Sequence, residues 1–230
     1  VKKGEKIGKA DVVIIPGTKN SILDLRYLKE EGYHEEIHKL AAAGSYIIGI
    51  CGGYQMLGKE LLDPAGVEAD SGSEKGLGLL PCITTYEPEK SVHQVEASII
   101  SEKGIFSELQ GEKITGYEIH MGQTKNLLQG KSENTAFYIT RRSGQPAKVL
   151  DGLVNETGKI IGTYLHGIFD NPNVLLAFIN SIRKEKKMQL LTMGQLSVNQ
   201  RQENYDRAAE IVRASLDMNK LLDIMGVKES

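Results

Sequence analysis

The chain has 230 residues, 40% of them hydrophobic and 25% charged, an ordinary globular composition that excludes a disordered polypeptide. Lys and Arg number 28 against 30 Asp and Glu, a net charge of −2, so no excess of positive charge is present to hold a polyphosphate backbone and no nucleic-acid partner is expected. Two cysteines, the lack of an opening cationic and apolar leader, and the lack of any apolar run near ~20 residues point away from a secreted disulfide scaffold and a membrane partner; the expectation is a cytoplasmic protein with free thiols.

The chain opens VKKGEKIGKA, without methionine, which reads as a piece of a longer polypeptide. DVVIIPG, residues 11 to 17, is a short β-branched run closed by Pro and Gly, the pattern of a buried parallel strand running into a loop. In residues 21 to 44, Ile22, Leu25, Leu28, Ile37 and Leu40 recur at helical spacing, with a break expected at Gly32 and a stop at Gly44. YIIGI, residues 46 to 50, is a second buried strand. Strand, helix, strand makes a βαβ unit, so the first half predicts an α/β fold with a parallel sheet.

A helix starts at Gly52, and the pattern then alternates in HQVEASII, GYEIHMG and TAFYIT, which predicts antiparallel strands. Asn155 to Lys159 reads as a turn between strands at 152 to 154 and 160 to 165. NPNVLLAFINSIRKEKK is a helix with Pro172 in its first turn and basic residues at its C-terminal end. MGQLSVNQ, residues 193 to 200, reads as a linker, and residues 204 to 226 carry apolar residues at helical spacing. The expected organisation is a main domain over 1 to 190 with a helical appendage over 191 to 230 packed on it.

In G-I-C-G-G a cysteine stands between a strand and a helix with glycines around it. Such a strand-turn-helix suits a nucleophile elbow, whose central residue is strained and needs neighbours without side chains. Gly49 and Gly53 meet that need. A helix N-terminus would also draw the Cys51 thiol towards thiolate, and the Gly52 N–H would face an oxyanion. A small buried cysteine in a tightly packed turn gives the same five residues, so the pattern alone leaves both readings open.

A nucleophilic thiol needs a base. His166 in GTYLHGIFDN follows an apolar strand and precedes a loop, where functional groups collect in α/β folds. His120 in GYEIHMGQT is similarly placed, whereas His93 lies inside a strand and reads as structural. His34, Glu35, Glu36, Ile37 and His38 match the H-E-x-x-H zinc motif, the signature of a metallopeptidase. No downstream segment supplies a clear third ligand, so a solvated helix face is the favoured reading and no metal site is expected.

Gly49-Ile50-Cys51-Gly52-Gly53-Tyr54-Gln55 satisfies G-hydrophobic-C-x-G-x-Q, and the chain resembles a class I glutamine amidotransferase domain on it. IIPGTKNSILDL, GYEIHMGQT, GTYLHGIFDNP and the terminal YDRAAEIVRASLDMNKLLDIMG resemble the branch of that family found in cobalamin biosynthesis, over about 11 to 226. The resemblance implies a flavodoxin-like α/β fold, with a mostly parallel central sheet flanked by helices, an antiparallel extension and a C-terminal helix. It implies that Cys51 attacks the amide of glutamine and that His166 is general base and acid. Gly17, Thr18 and Gly52 would hold the oxyanion, and Gln55 would line the glutamine site. His120 would serve glutamine or an interface with a ligase domain, and Lys19 would meet a substrate carboxylate or solvent.

The family's carboxylate two residues beyond the histidine is replaced by Ile168, which implies a Cys-His dyad oriented by a backbone carbonyl, Asp170 or Glu118. The resemblance further implies an N-terminal amidoligase domain that uses ATP and Mg on a corrinoid acceptor, adenosylcobyrinic acid a,c-diamide; the ligase that makes cobyrinic acid a,c-diamide, or another ligase of the same branch, is the alternative. No G-x-x-x-x-G-K-[ST] loop occurs here, so no cofactor is expected in this chain itself.

Overall fold

The apolar run at 46 to 50 forms strand β2 (Tyr46–Ile50), covered on both faces, which is why polar residues are absent from it. It lies between β1 (Val12–Ile15) and β9 (Ile160–Thr163) and runs parallel to both. The computed structural model describes residues 1–68, 72–128, 134–196 and 200–226. By contact they divide into two units, Val1–Leu190 and Leu191–Ser230.

In the first unit β1 leads into α1 (Ser21–Glu30) and α2 (Tyr33–Ala42). The expected break is the left-handed Gly32, at φ 75°. After β2 comes α3 (Gly52–Leu57), only six residues long, then β3 (Glu60–Asp63) and β4 (Gly72–Lys75). Long strands follow, β5 (Cys82–Ile99), β6 (Lys113–Asn126), β7 (Thr135–Arg142) and β8 (Gln145–Val154). Then β9 and α4 (Pro172–Glu185) close the unit, with Pro172 in the first turn of α4.

The sheet order is β1-β2-β9-β8-β7-β5-β3-β4, with β6 paired to β5 off that path. The parallel pairings are β1–β2, β2–β9 and β3–β5; the pairings along β9–β8–β7–β5, β5–β6 and β3–β4 are antiparallel. The parallel core and its antiparallel extension are thus both present, and the extension is the wider part. Alternation along β2 splits the core. Ile47 packs with Ile22, Leu25, Ile37 and Leu57 on one side, and Ile48 with Val174 and Phe178 of α4 on the other.

The turn at 155 to 159 is held by the Asn155 side chain, which accepts the N–H groups of Lys159 and Ile160 at 3.0 Å each. β8 begins earlier than the predicted 152. β9 stops at Thr163 rather than 165, because the Tyr164 N–H turns to the buried Asp151 carboxylate at 3.2 Å. In the second unit the single helix expected over 204 to 226 is two, α5 (Gln200–Ser215) and α6 (Met218–Met225); Asp217 caps the second by accepting Lys220 N–H. Within the expected linker, Met193–Gln195 forms a short 3-10 turn, and 197 to 199 lie outside the described residues. Among the described residues no helix is long and apolar enough to cross a membrane.

The tightest approach in the first unit is α3 on β1. A Cβ built on Gly53 would lie 1.9 Å from the Ile15 carbonyl oxygen, a backbone atom that cannot step aside alone. Gly53→Ala is therefore expected to cost about 3 kcal/mol by overpacking and to lower Tm by roughly 6 to 12 °C, read by thermal denaturation.

Candidate active site

Cys51 links β2 to α3 with φ 54° and ψ −111°, a conformation that L side chains oppose and that surrounding contacts must impose. Its N–H donates to Thr163 O at 2.8 Å, so β9 holds the turn from one side, and its carbonyl accepts Gln55 N–H at 3.1 Å. The thiol is buried and donates to Ile119 O of β6 at 3.3 Å.

His166 follows the end of β9. Its N–H donates to Tyr117 O at 2.8 Å and its carbonyl accepts Tyr117 N–H at 3.2 Å. The His166 and Tyr117 rings stack with centroids 4.9 Å apart and planes within 6°. Gly17 sits between the thiol and the imidazole: a Cβ built there would be 2.8 Å from His166 Cε1, 3.7 Å from His166 Nε2 and 3.4 Å from Cys51 Cβ. His166 Nε2 is buried with no hydrogen-bond partner among the described residues.

The loop after β1 abuts the start of α3. A Cβ on Gly52 would meet Thr18 Cγ2 at 2.5 Å and Thr18 N at 3.3 Å, so the start of α3 packs directly on that loop next to Cys51. That loop is itself fixed: the Thr18 hydroxyl donates to Asp24, and Asn20 caps α1 by accepting Leu23 N–H at 2.9 Å.

Burial pushes the Cys51 thiol up; the Gly52 N–H pulls the other way but does not outweigh it, and the charges of Glu68 and Asp151 add to the rise. The expectation that the helix start would favour thiolate is therefore corrected, since a six-residue helix supplies too little to offset desolvation. His166 is held below the ordinary histidine range by burial first and by His120 second. Both shifts favour neutral thiol and neutral imidazole over the ion pair, which leaves the imidazole in the unprotonated form that a general base requires.

The structure brings together Cys51, His166, Gly17, Thr18 and Gly52. Gln55 is near but spent: its Oε1 accepts from the Ser21 and Tyr86 hydroxyls at 2.6 and 2.9 Å, and its Nε2 donates to Met121 O and the Tyr164 hydroxyl at 2.9 and 3.2 Å. It ties the first loop, β5, β6 and the end of β9 into one frame. His120 lies outside this group, although it acts on His166. It stacks on Tyr164 at 3.8 Å and, with Glu118, Arg142 and Asp151, lines a cavity of about 330 Å³ whose wall includes neither Cys51 nor His166. Lys19 is exposed.

Ile168 is buried in the core with α4. In the H-E-x-x-H stretch Glu35 pairs with Lys39 at 3.6 Å, and Glu36 accepts Ile7 N–H at 2.8 Å. Among the described residues no three His, Cys, Asp or Glu side chains gather to hold a metal ion. The contacts that sequence reasoning missed come from Tyr117 and Ile119. The signal was present in GYEIHMG: strand alternation puts 117 and 119 on the face opposite 118 and 120, so a strand that turns His120 away presents Tyr117 to the site.

The pattern of the CobB/CobQ-like glutamine amidotransferase domain matches residues 1–174. The chain belongs to this family. This amidotransferase domain is 46% identical over 226 residues to cobyric acid synthase of Desulforamulus reducens and of Caldanaerobacter subterraneus, and 43% identical over 225 residues to that of Dehalococcoides mccartyi. In each case 98% of the chain is covered but only 43 to 44% of the relative, so the domain spans less than half the length of the curated relatives it matches. Its fold is shared by a chain of PurLQS from Thermotoga maritima, with TM-score 0.55 and 20% identity over 76% of this chain and 82% of that one. A structure described as a glutamine amidotransferase matches with TM-score 0.50 and 17% identity, over 80% and 85%.

Because the thiol of this amidotransferase domain is raised, alkylation of Cys51 by iodoacetamide should be slower at pH 7 than that of a free cysteine. The rate should go on climbing past the ordinary cysteine range, about 8.5. Cys82 is fully buried with its thiol pushed up to about 12, so peptide mapping assigns the label. A rate that levels off below pH 8 would show a stabilised thiolate instead.

Proposed function

We propose that the chain is the glutaminase half of a cobyric acid synthase and that Cys51 and His166 carry its chemistry. The observation that carries this reading is the convergence of the strained Cys51 turn, the His166 imidazole with its unpartnered Nε2, and the Gly17–Thr18 loop that touches both. His166 Nε2 takes the thiol proton as sulfur attacks the side-chain amide carbon of glutamine. The oxyanion of the tetrahedral intermediate is met by the N–H groups of Gly52 and Thr18, with Gly17 leaving room beside it. As the carbon–nitrogen bond breaks, His166 returns the proton to the leaving nitrogen, and ammonia departs. Water then attacks the thioester, with His166 taking its proton; as the carbon–sulfur bond breaks, His166 returns that proton to sulfur, and glutamate leaves with the thiol regenerated.

Gln55 contributes in this reading as a brace, since each of its amide atoms is already engaged within the fold. Residues 1 to 190 form the amidotransferase domain and 191 to 230 a helical appendage. The partner is an ATP- and Mg-dependent amidoligase domain of the same polypeptide, which accounts for the greater length of the relatives. Its acceptor is adenosylcobyrinic acid a,c-diamide, whose carboxylates the released ammonia converts to amides on the way to cobyric acid.

The test is glutamate release from glutamine by the purified chain. Cys51→Ala should lower kcat by about 10⁴-fold or more, and 6-diazo-5-oxo-L-norleucine should label Cys51 stoichiometrically. A Cys51→Ala protein that still hydrolyses glutamine at the wild-type rate would sink the assignment.

A further inference from the structure

We infer that Tyr117 is the positioning residue for His166, its ring and backbone together doing the work that a carboxylate partner would otherwise do. The inference rests on the glutaminase reading and adds a residue to it. Of the places where an orienting carboxylate was expected, Glu118 and position 168 are committed elsewhere. Glu118 is 1% exposed and faces the far side of β6, where Arg142 Nε meets it at 2.6 Å and Nη2 at 3.1 Å. Asp170 Oδ2 lies 3.2 Å from where a Cβ on Gly167 would be, beside the loop backbone. Position 168 is an isoleucine committed to the core.

Tyr117 instead grips His166 in two ways. The paired backbone bonds fix the position of the residue, and the parallel ring at 4.9 Å fixes the plane of the imidazole. A rotation of the imidazole out of that plane would drive its edge into the tyrosine face. Stacking of this kind engages the ring face and not its edge, which agrees with the bare Nε2. It also brings no negative charge to raise the basicity of the imidazole, in keeping with a histidine held below its ordinary range.

β6 is seated firmly enough to serve. A Cβ on Gly116 would strike His166 O at 2.5 Å, so only glycine lets the strand come this close. One residue earlier, Thr115 exchanges both backbone bonds with the Asn171 side chain at 2.9 Å each. Two residues beyond Tyr117, Ile119 O receives the Cys51 thiol. A single stretch of β6 therefore sets where the imidazole and the sulfur stand relative to each other.

Tyr117 is 45% exposed, so it can be replaced with little threat to the fold. In the full chain, Tyr117→Phe should keep kcat for glutamate release within about twofold, because the ring is retained. Tyr117→Leu should lower kcat by about 10- to 100-fold with KM unchanged, the loss expected of a misplaced reacting group. His166 ring protons, observed by NMR in the wild type, should be shifted upfield by the tyrosine ring, kept so in Tyr117→Phe and moved downfield in Tyr117→Leu. Wild-type kcat in Tyr117→Leu, equal losses in the Phe and Leu variants, or a change confined to KM would overturn the positioning role. A wild-type chain that releases no glutamate would overturn the glutaminase reading, and the NMR signals would then decide the stacking independently: unmoved His166 protons in Tyr117→Leu would overturn it.

Discussion

A cysteine held at φ 54° carries a backbone strain on the order of 1–3 kcal/mol that must be offset by its surroundings. Much of the first unit can be understood as that restraint. β9 takes the Cys51 N–H, α3 takes its carbonyl into its first hydrogen bond, and Gly53 lets α3 settle against the Ile15 carbonyl of β1. Tyr46 to Ile50 enter the turn from a strand covered on both faces, so the turn cannot relax by shifting β2. The sulfur ends up at the C-terminal edge of parallel strands, where α/β folds place their chemistry.

Two groups of titratable side chains meet along β6. One is the Cys51 thiol and the His166 imidazole, both shifted by burial away from ionisation. The other surrounds the buried Glu118 carboxyl: burial alone would raise it, but His120 and Arg142 outweigh that and hold it below its usual value. Breaking one partner of such a cluster leaves an uncompensated buried charge, which is far more damaging than its net contribution suggests. The Glu118–Arg142 pair thus ties β6 to β7.

The parts legible in the sequence were those set by local pattern. The apolar run of β2, the break at Gly32, the Asn155 turn and the glycine-flanked cysteine each declare themselves within a few residues. The electrostatics of Cys51 did not, because burial is a property of the assembled fold and reversed the shift that a helix start suggests. His120 drew attention as a histidine, yet its neighbour Tyr117 is the one against His166; residue chemistry was a weaker guide than strand alternation. The division of the last helix at Asp217 was also missed, since apolar spacing continues across the break while the cap depends on a single side-chain bond to Lys220.

The insertion of β9 beside β2 has a temporal consequence. The bond from Cys51 N–H to Thr163 O joins segments from opposite ends of the first unit, with β3 to β8 between them in the chain. Pairings of such long separation form late, after loop closure has been met by other contacts. A nascent polypeptide emerging from the ribosome therefore carries its cysteine through the synthesis of β3 to β8 without the strand that shapes the turn or the histidine that follows it. Competence arrives all at once, when the C-terminal part of the unit slots into the sheet.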